Sequence, residues 1–175
     1  MFVNIWGKNI WYDIYGAEHS DTLLYLHGGP GASCLDFVNQ AKALSGKMKV
    51  VIFDQLGVLR SDGIAENESY SMEYQIEMVE EMRKILGIEK WSVLGHSYGG
   101  MLAVLYASAC PDSVHKIILE CPSLWFEDSA RSTAEYLSEH IHSLNDGEAV
   151  KLWEKVRFAD YQDKTEVVWD LSALL

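Results

Sequence analysis

WSVLGHSYGGMLAVLYA, Trp91 to Ala107, passes from a short apolar run through a glycine-flanked serine into a longer apolar run. A buried strand, a sharp turn and a helix are expected there in that order. Gly95-His96-Ser97-Tyr98-Gly99 matches G-x-S-x-G, a turn that lifts a serine hydroxyl above the C-terminal edge of a sheet. Glycine is needed two places before and two after, because side chains there would collide with the neighbouring strand and helix. A G-x-S-x-G pattern alone is weak evidence, since glycine and serine are common residues. Its context of strand and helix is what the motif requires.

Working outward, TLLYLHGG (Thr22 to Gly29) is a continuous apolar run ending in glycine, the signature of a strand buried on both faces. It leads into HGGPG, His27 to Gly31, a loop whose bare N–H groups can approach an oxyanion. LDFVNQAKALSG then repeats apolar residues at helical spacing, and MKVVIFDQLG returns to a buried strand. SMEYQIEMVEEMRKILGI reads as a helix capped by Ser71 and stopped by Gly87, with Tyr74, Met78, Met82 and Ile85 as its apolar stripe. VHKIILECP is a sixth strand. FVNIWG and IWYDIYG, separated by Gly7, Lys8 and Asn9, open the chain as a hairpin. This alternation predicts a mostly parallel sheet with helices on both faces behind an N-terminal antiparallel hairpin.

From Ser123 onward the pattern changes to amphipathic helices, LWFEDSARSTAEYLSEHIHSL and DGEAVKLWEKVRF, with a further strand possible only in TEVVWDLSALL. The division expected is a core over 1–122 and a helical cap over 123–175. The 175 residues carry 26 acidic against 14 basic side chains, a formal charge of -12. With no basic stripe, neither nucleic acid nor an anionic membrane is an expected partner. Three cysteines (Cys34, Cys110, Cys121) without C-x-x-C spacing suggest free thiols, and no metal site or cofactor is expected. No window resembles a signal peptide or a membrane span, so the cytoplasm is the expected location.

HGGPG, DQLG followed by RSD, and GHSYGGMLA, in that order and spacing, resemble the proline iminopeptidase branch of the α/β-hydrolase fold. The resemblance covers residues 1 to about 125 well and the following segment more loosely. It implies a serine hydrolase that removes N-terminal residues, often proline, from short peptides through an acyl-enzyme. Ser97 would be the nucleophile, and the backbone N–H groups of Gly29 and Tyr98 the oxyanion donors. A small peptide, amide or ester is the implied substrate. One departure is visible: where the family usually shows glycine two positions after DQLG, this chain has Leu59, so the bend of that loop is expected to differ.

A serine hydroxyl needs a base, and on this fold the order is Ser, then Asp or Glu, then His. Asp54 precedes the nucleophile, so its expected role is bracing its loop. His27 reads as structural, and His96 should turn away from Ser97's hydroxyl. His19, His115, His140 and His142 read as loop, strand and surface residues. The chain is therefore expected to be cut before the triad acid and base, with little activity of its own. The sheet would also be incomplete at its C-terminal end, with its sixth strand an open edge suited to self-association. Glu127, Asp128, Glu135 and Glu139 are candidates for binding a substrate amine, or simply a solvated helix face. Another ester, amide or lactone hydrolase of the same fold, and a non-catalytic relic that binds a ligand or partner, are the competing readings.

Overall fold

The computed structural model describes residues 1–157 apart from Pro30 and Asn145. The possible strand in TEVVWDLSALL lies outside the described residues. Two compact units result, Met1–Leu124 and Trp125–Leu175.

The first unit holds one sheet. Its strands are β1 (Phe2–Ile5), β2 (Lys8–Tyr15), β3 (Thr22–Leu26), β4 (Lys49–Phe53), β5 (Trp91–His96) and β6 (Val114–Glu120), in the order β1-β2-β4-β3-β5-β6. The pairs β1–β2 and β2–β4 are antiparallel, while β4–β3, β3–β5 and β5–β6 are parallel. The hairpin turn is tighter than expected. Ile5 pairs directly with Lys8, so Trp6 and Gly7 alone make the turn, and both take positive φ (50° and 87°). That is the type I′ geometry whose twist suits a two-residue hairpin, and it leaves Lys8 and Asn9 in the strand.

All five residues of β3 are buried, as its unbroken apolar run requires in the middle of a sheet covered on both faces. Side chains alternate between two cores. Leu24, Leu26, Val51, Phe53 and Val93 face α2 (Met72–Ile85) and α3 (Tyr98–Ala109). Leu23, Tyr25, Val50 and Ile52 face a 3-10 turn (Cys34–Phe37) and α1 (Val38–Leu44), where Tyr25 stacks on Phe37 with ring centroids 4.1 Å apart.

Ser71 caps α2, its hydroxyl accepting from the Tyr74 N–H at 3.2 Å. The buried stripe of α2 is rotated from the expected one. Gln75, Met78, Val79 and Met82 are buried, while Ile85 is largely exposed. A Gln at the start of the stripe hides it from a hydrophobicity count; its partner is described below. The second unit begins with α4 (Phe126–His140), then a 3-10 turn (Ile141–Leu144) and α5 (Gly147–Arg157). Leu137, Ile141 and Trp153 form its own small core.

Candidate active site

Ser97 joins β5 to α3 with φ 52° and ψ -116°, a region that non-glycine residues enter only when the surroundings over-determine it. The surroundings are visible. Its N–H donates to the Glu120 carbonyl at 3.0 Å, and its carbonyl accepts from the N–H groups of Gly100 (2.9 Å) and Ser123 (3.0 Å). The flanking glycines are obligatory on steric grounds. A Cβ on Gly99 would lie 2.6 Å from the His27 carbonyl oxygen and against that of Leu26, and one on Gly95 would lie 2.7 Å from Gly100 Cα.

The HGGPG loop rests on this turn. A Cβ added to Gly28 would stand 3.2 Å from Ser97 Cβ and 2.9 Å from His96 Cδ2, so only glycine lets the loop approach the serine so closely. Gly29 has φ 119°, where an L side chain is strained, and its absent Cβ leaves room for the backbone of Gly31 and Ala32. Pro30 lies outside the described residues. Tyr98 is the first residue of α3, whose opening N–H groups have no intrahelical acceptor and carry the positive end of the helix dipole. Ser97, the glycine loop and the α3 N-terminus are thus gathered at one end of β3 and β5.

Tyr98's side chain explains the buried Gln75. Its hydroxyl donates to Gln75 Oε1 at 2.7 Å and lies 3.2 Å from Met72 Sδ. Burial raises the phenol's pKa, so it remains a neutral donor tying α2 to the start of α3.

His27 is buried and fully engaged by backbone. Its Nδ1–H donates to the Gly28 carbonyl at 2.9 Å, while Nε2 accepts from the Gln55 N–H at 3.0 Å. Burial lowers its pKa, and a neutral ring with both nitrogens committed is a loop brace with no free site for a substrate proton. The Gln55 amide also donates to the His27 carbonyl at 3.1 Å. Polar Gln55 carries no sequence sign of this role beyond its place after the strand.

Asp54 is wholly buried at the centre of a larger brace. Its Oδ1 accepts from Ser33 Oγ at 2.7 Å and from the Cys34 N–H at 3.3 Å; Oδ2 accepts from Arg60 Nε at 2.6 Å. Arg60 also lies over the Trp11 ring, 3.2 Å from its centroid. Burial alone would raise the Asp54 pKa, but the hydrogen bonds from Arg60, Ser33 and Cys34 outweigh it and the net shift is downward. The carboxylate therefore links the segment after HGGPG to the loop after β4. In that loop Leu59 adopts φ 38° and is 71% exposed. A leucine in the left-handed region is strained.

No described histidine hydrogen-bonds to Ser97. His96 Nδ1 lies 3.3 Å from Glu120 Oε2 but is poorly aligned and makes no hydrogen bond. His19 sits beside Glu18 after β2, and His115 is in β6. His140 stacks on Tyr136 and bonds its carbonyl, both within α4, and His142 lies in the following turn. Of the candidate amine-binding acids, Asp128 is paired with Arg131, Glu135 and Glu139 are exposed, and the side chain of Glu127 lies outside the described residues. Among the described residues no cluster of three or more metal-ligating side chains occurs, and no helix is long and apolar enough to cross a membrane.

Residues 21–165 match the family described as the alpha/beta hydrolase fold. The chain is similar to a proline iminopeptidase of Saccharolobus solfataricus, 39% identical over 108 residues, covering 61% of this chain and 35% of that protein. It is similar to one from Heyndrickxia coagulans as well, 29% identical over 136 residues, covering 75% and 47%. It therefore spans a third to a half of the length of these relatives. Among solved structures it is similar to a membrane phospholipase A described as a bacterial virulence factor, with TM-score 0.66, 29% identity and coverage of 70% of this chain and 39% of that one. An epoxide hydrolase from Bacillus megaterium shares the fold at TM-score 0.66 and 20% identity, covering 93% and 52%.

Proposed function

The chain belongs to the alpha/beta hydrolase fold family, and from that premise we propose that it carries the nucleophilic half of a serine hydrolase of proline iminopeptidase type. The observation that carries this reading is Ser97 at φ 52°, ψ -116° with Gly28 packed against it. The similarity to two proline iminopeptidases over the segment that holds these motifs supports the substrate class.

In the proposed reaction the Ser97 hydroxyl attacks the carbonyl of the substrate's N-terminal residue. The oxyanion is held by the N–H groups of Gly29 and Tyr98, donors already fixed before substrate arrives. A base accepts the serine proton and returns it to the leaving amine, giving an acyl-enzyme that water hydrolyses. The described histidines are committed elsewhere or do not reach Ser97. The base and acid are accordingly assigned to sequence that the longer relatives possess beyond the matched segment. An oxyanion hole and binding alone retain roughly 10³–10⁴-fold over water, far below a complete triad.

A fluorophosphonate probe tests the assignment. Weak labelling by the 175-residue chain is expected, confined to Ser97 and abolished in Ser97→Ala. Strong labelling would place a base among the residues present, and labelling elsewhere would remove Ser97 from its role. A form of the relatives' full length should label strongly and hydrolyse prolyl amides only when their amine is free. Indifference to that amine, with simple esters preferred, would replace the peptidase reading by that of a general ester or amide hydrolase.

A further inference from the structure

We propose that Gln75, on α2, is a positioning residue: through the Tyr98 hydroxyl it sets the direction of the Tyr98 N–H, a role that rests on the serine hydrolase reading above. Gln75 touches neither Ser97 nor the space where a substrate would sit. It acts through the side chain of the residue that follows the nucleophile.

The Ser97 carbonyl and the Tyr98 N–H belong to one planar peptide unit, and in the trans form that nearly every such bond takes they point in opposite directions. The carbonyl accepts from the N–H groups of Gly100 at 2.9 Å and Ser123 at 3.0 Å. The Tyr98 N–H therefore points away from both donors. Those two bonds hold the carbonyl end of the unit, while its other end is the Tyr98 Cα, whose orientation is tied to the Tyr98 side chain. The 2.7 Å bond from the Tyr98 hydroxyl to Gln75 Oε1 anchors that side chain to α2. Each end of the donor peptide then has its own tether.

Packing alone does not call for an amide here. Gln75 is 5% exposed in a stripe otherwise made of Met78, Val79 and Met82. Among the described residues its Nε2 donates only to the Met72 thioether, at 3.8 Å, a weak acceptor. The space beside it is about 10 Å³, walled in part by Ile10, Phe53, Met78 and Leu102, room for one water at most. No ligand fits there, so the polarity of Gln75 serves Tyr98.

The two roles, positioning and packing, predict different behaviour when both partners become apolar. Gln75→Met and Tyr98→Phe should each lower the saturated rate at which a fluorophosphonate labels Ser97 about tenfold, with the half-saturating probe concentration unchanged. The double variant should be no slower than either single one, because all three cut the same link. Urea unfolding supplies the contrast. Tyr98→Phe alone strands a buried acceptor and should lower the urea midpoint, whereas the double variant should regain most of it, since an apolar pair replaces a hydrogen-bonded one at little net cost. Stability restored without the rate is the expected result. Rates that follow the urea midpoint, or variants that label as fast as the parent chain, would overturn the proposal and leave the hydrolase reading intact. A parent chain that does not label at Ser97 at all would overturn that reading and the proposal with it.

Discussion

Replacing Asp54 by Asn tests what holds the loops beside Ser97 in place. The substitution keeps the shape of the side chain but removes its charge, and it turns an amide donor toward Arg60 Nε, which now lies 2.6 Å from Oδ2. Breaking a buried ion pair on one side typically costs about 3–5 kcal/mol. Arg60 retains 29% of its side-chain exposure, so water can compensate part of the loss, and Asn can still accept from Ser33 and the Cys34 N–H. A cost of about 2–3 kcal/mol follows, equivalent to a fall in Tm of roughly 5–10 °C for a domain of this size.

The pH dependence separates charge from packing. The native Asp54 pKa lies below its ordinary value, so the stabilisation is complete well above the unfolded pKa of about 3.9 and is lost as pH falls through that value toward the native one. Urea unfolding of both proteins should give the widest gap at pH 7 and a narrowing gap below about pH 4. A difference under about 0.5 kcal/mol at pH 7 would refute the brace. A difference of equal size at pH 7 and pH 3 would assign the effect to packing alone.

Gly99→Ala should destabilise by about 3 kcal/mol or prevent folding, since the new methyl meets backbone carbonyls of Leu26 and His27 that cannot yield; urea unfolding and expression of soluble protein check it. Leu59→Gly should act in the opposite direction. It relieves about 1–2 kcal/mol of left-handed strain at a cost of about 0.4–1 kcal/mol in the unfolded chain, a net gain near 0.5 kcal/mol measurable as a higher urea midpoint.

The sheet was legible because its signals are local. Thr22–Leu26 and Lys49–Phe53 are apolar runs bounded by turn residues, and the glycines around Ser97 are demanded by contacts that any strand-to-helix turn of this sharpness makes. The turn of the first hairpin was misplaced because Trp6, a poor candidate for positive φ, occupies a position that Asn or Gly would have announced. The stripe of α2 was rotated because Gln75 is buried for a hydrogen bond to Tyr98, and apolar periodicity cannot register a buried polar group. The bracing of the loops was only half legible. Asp54 could be set aside as a triad acid from its order in the chain, but its partners Ser33, Cys34 and Arg60 are brought together only by the fold. Leu59 shows the same limit from the other side: nothing in a leucine announces φ 38°, which is held by the surrounding hydrogen bonds of Gly57, Val58, Ser61 and Asp62.

The elbow itself shows that positioning and activation of the serine are separable on this fold. A non-glycine residue at φ 52° costs about 1–3 kcal/mol, and everything that holds Ser97 there comes from β3, β5, β6, α3 and the segment just after β6. The Glu120 carbonyl, the N–H groups of Gly100 and Ser123, and the close approach of Gly28 together fix it. Among the described residues no histidine or carboxylate side chain hydrogen-bonds to that backbone. The strain is therefore held by the sheet and the turns around it, independently of any base. Under the reading proposed above, a supplied base should raise the labelling rate of Ser97 without altering the backbone geometry of the turn. If the turn instead relaxed in the absence of the base, its amide resonances would shift when the base was supplied, and the elbow could not be a property of the sheet alone.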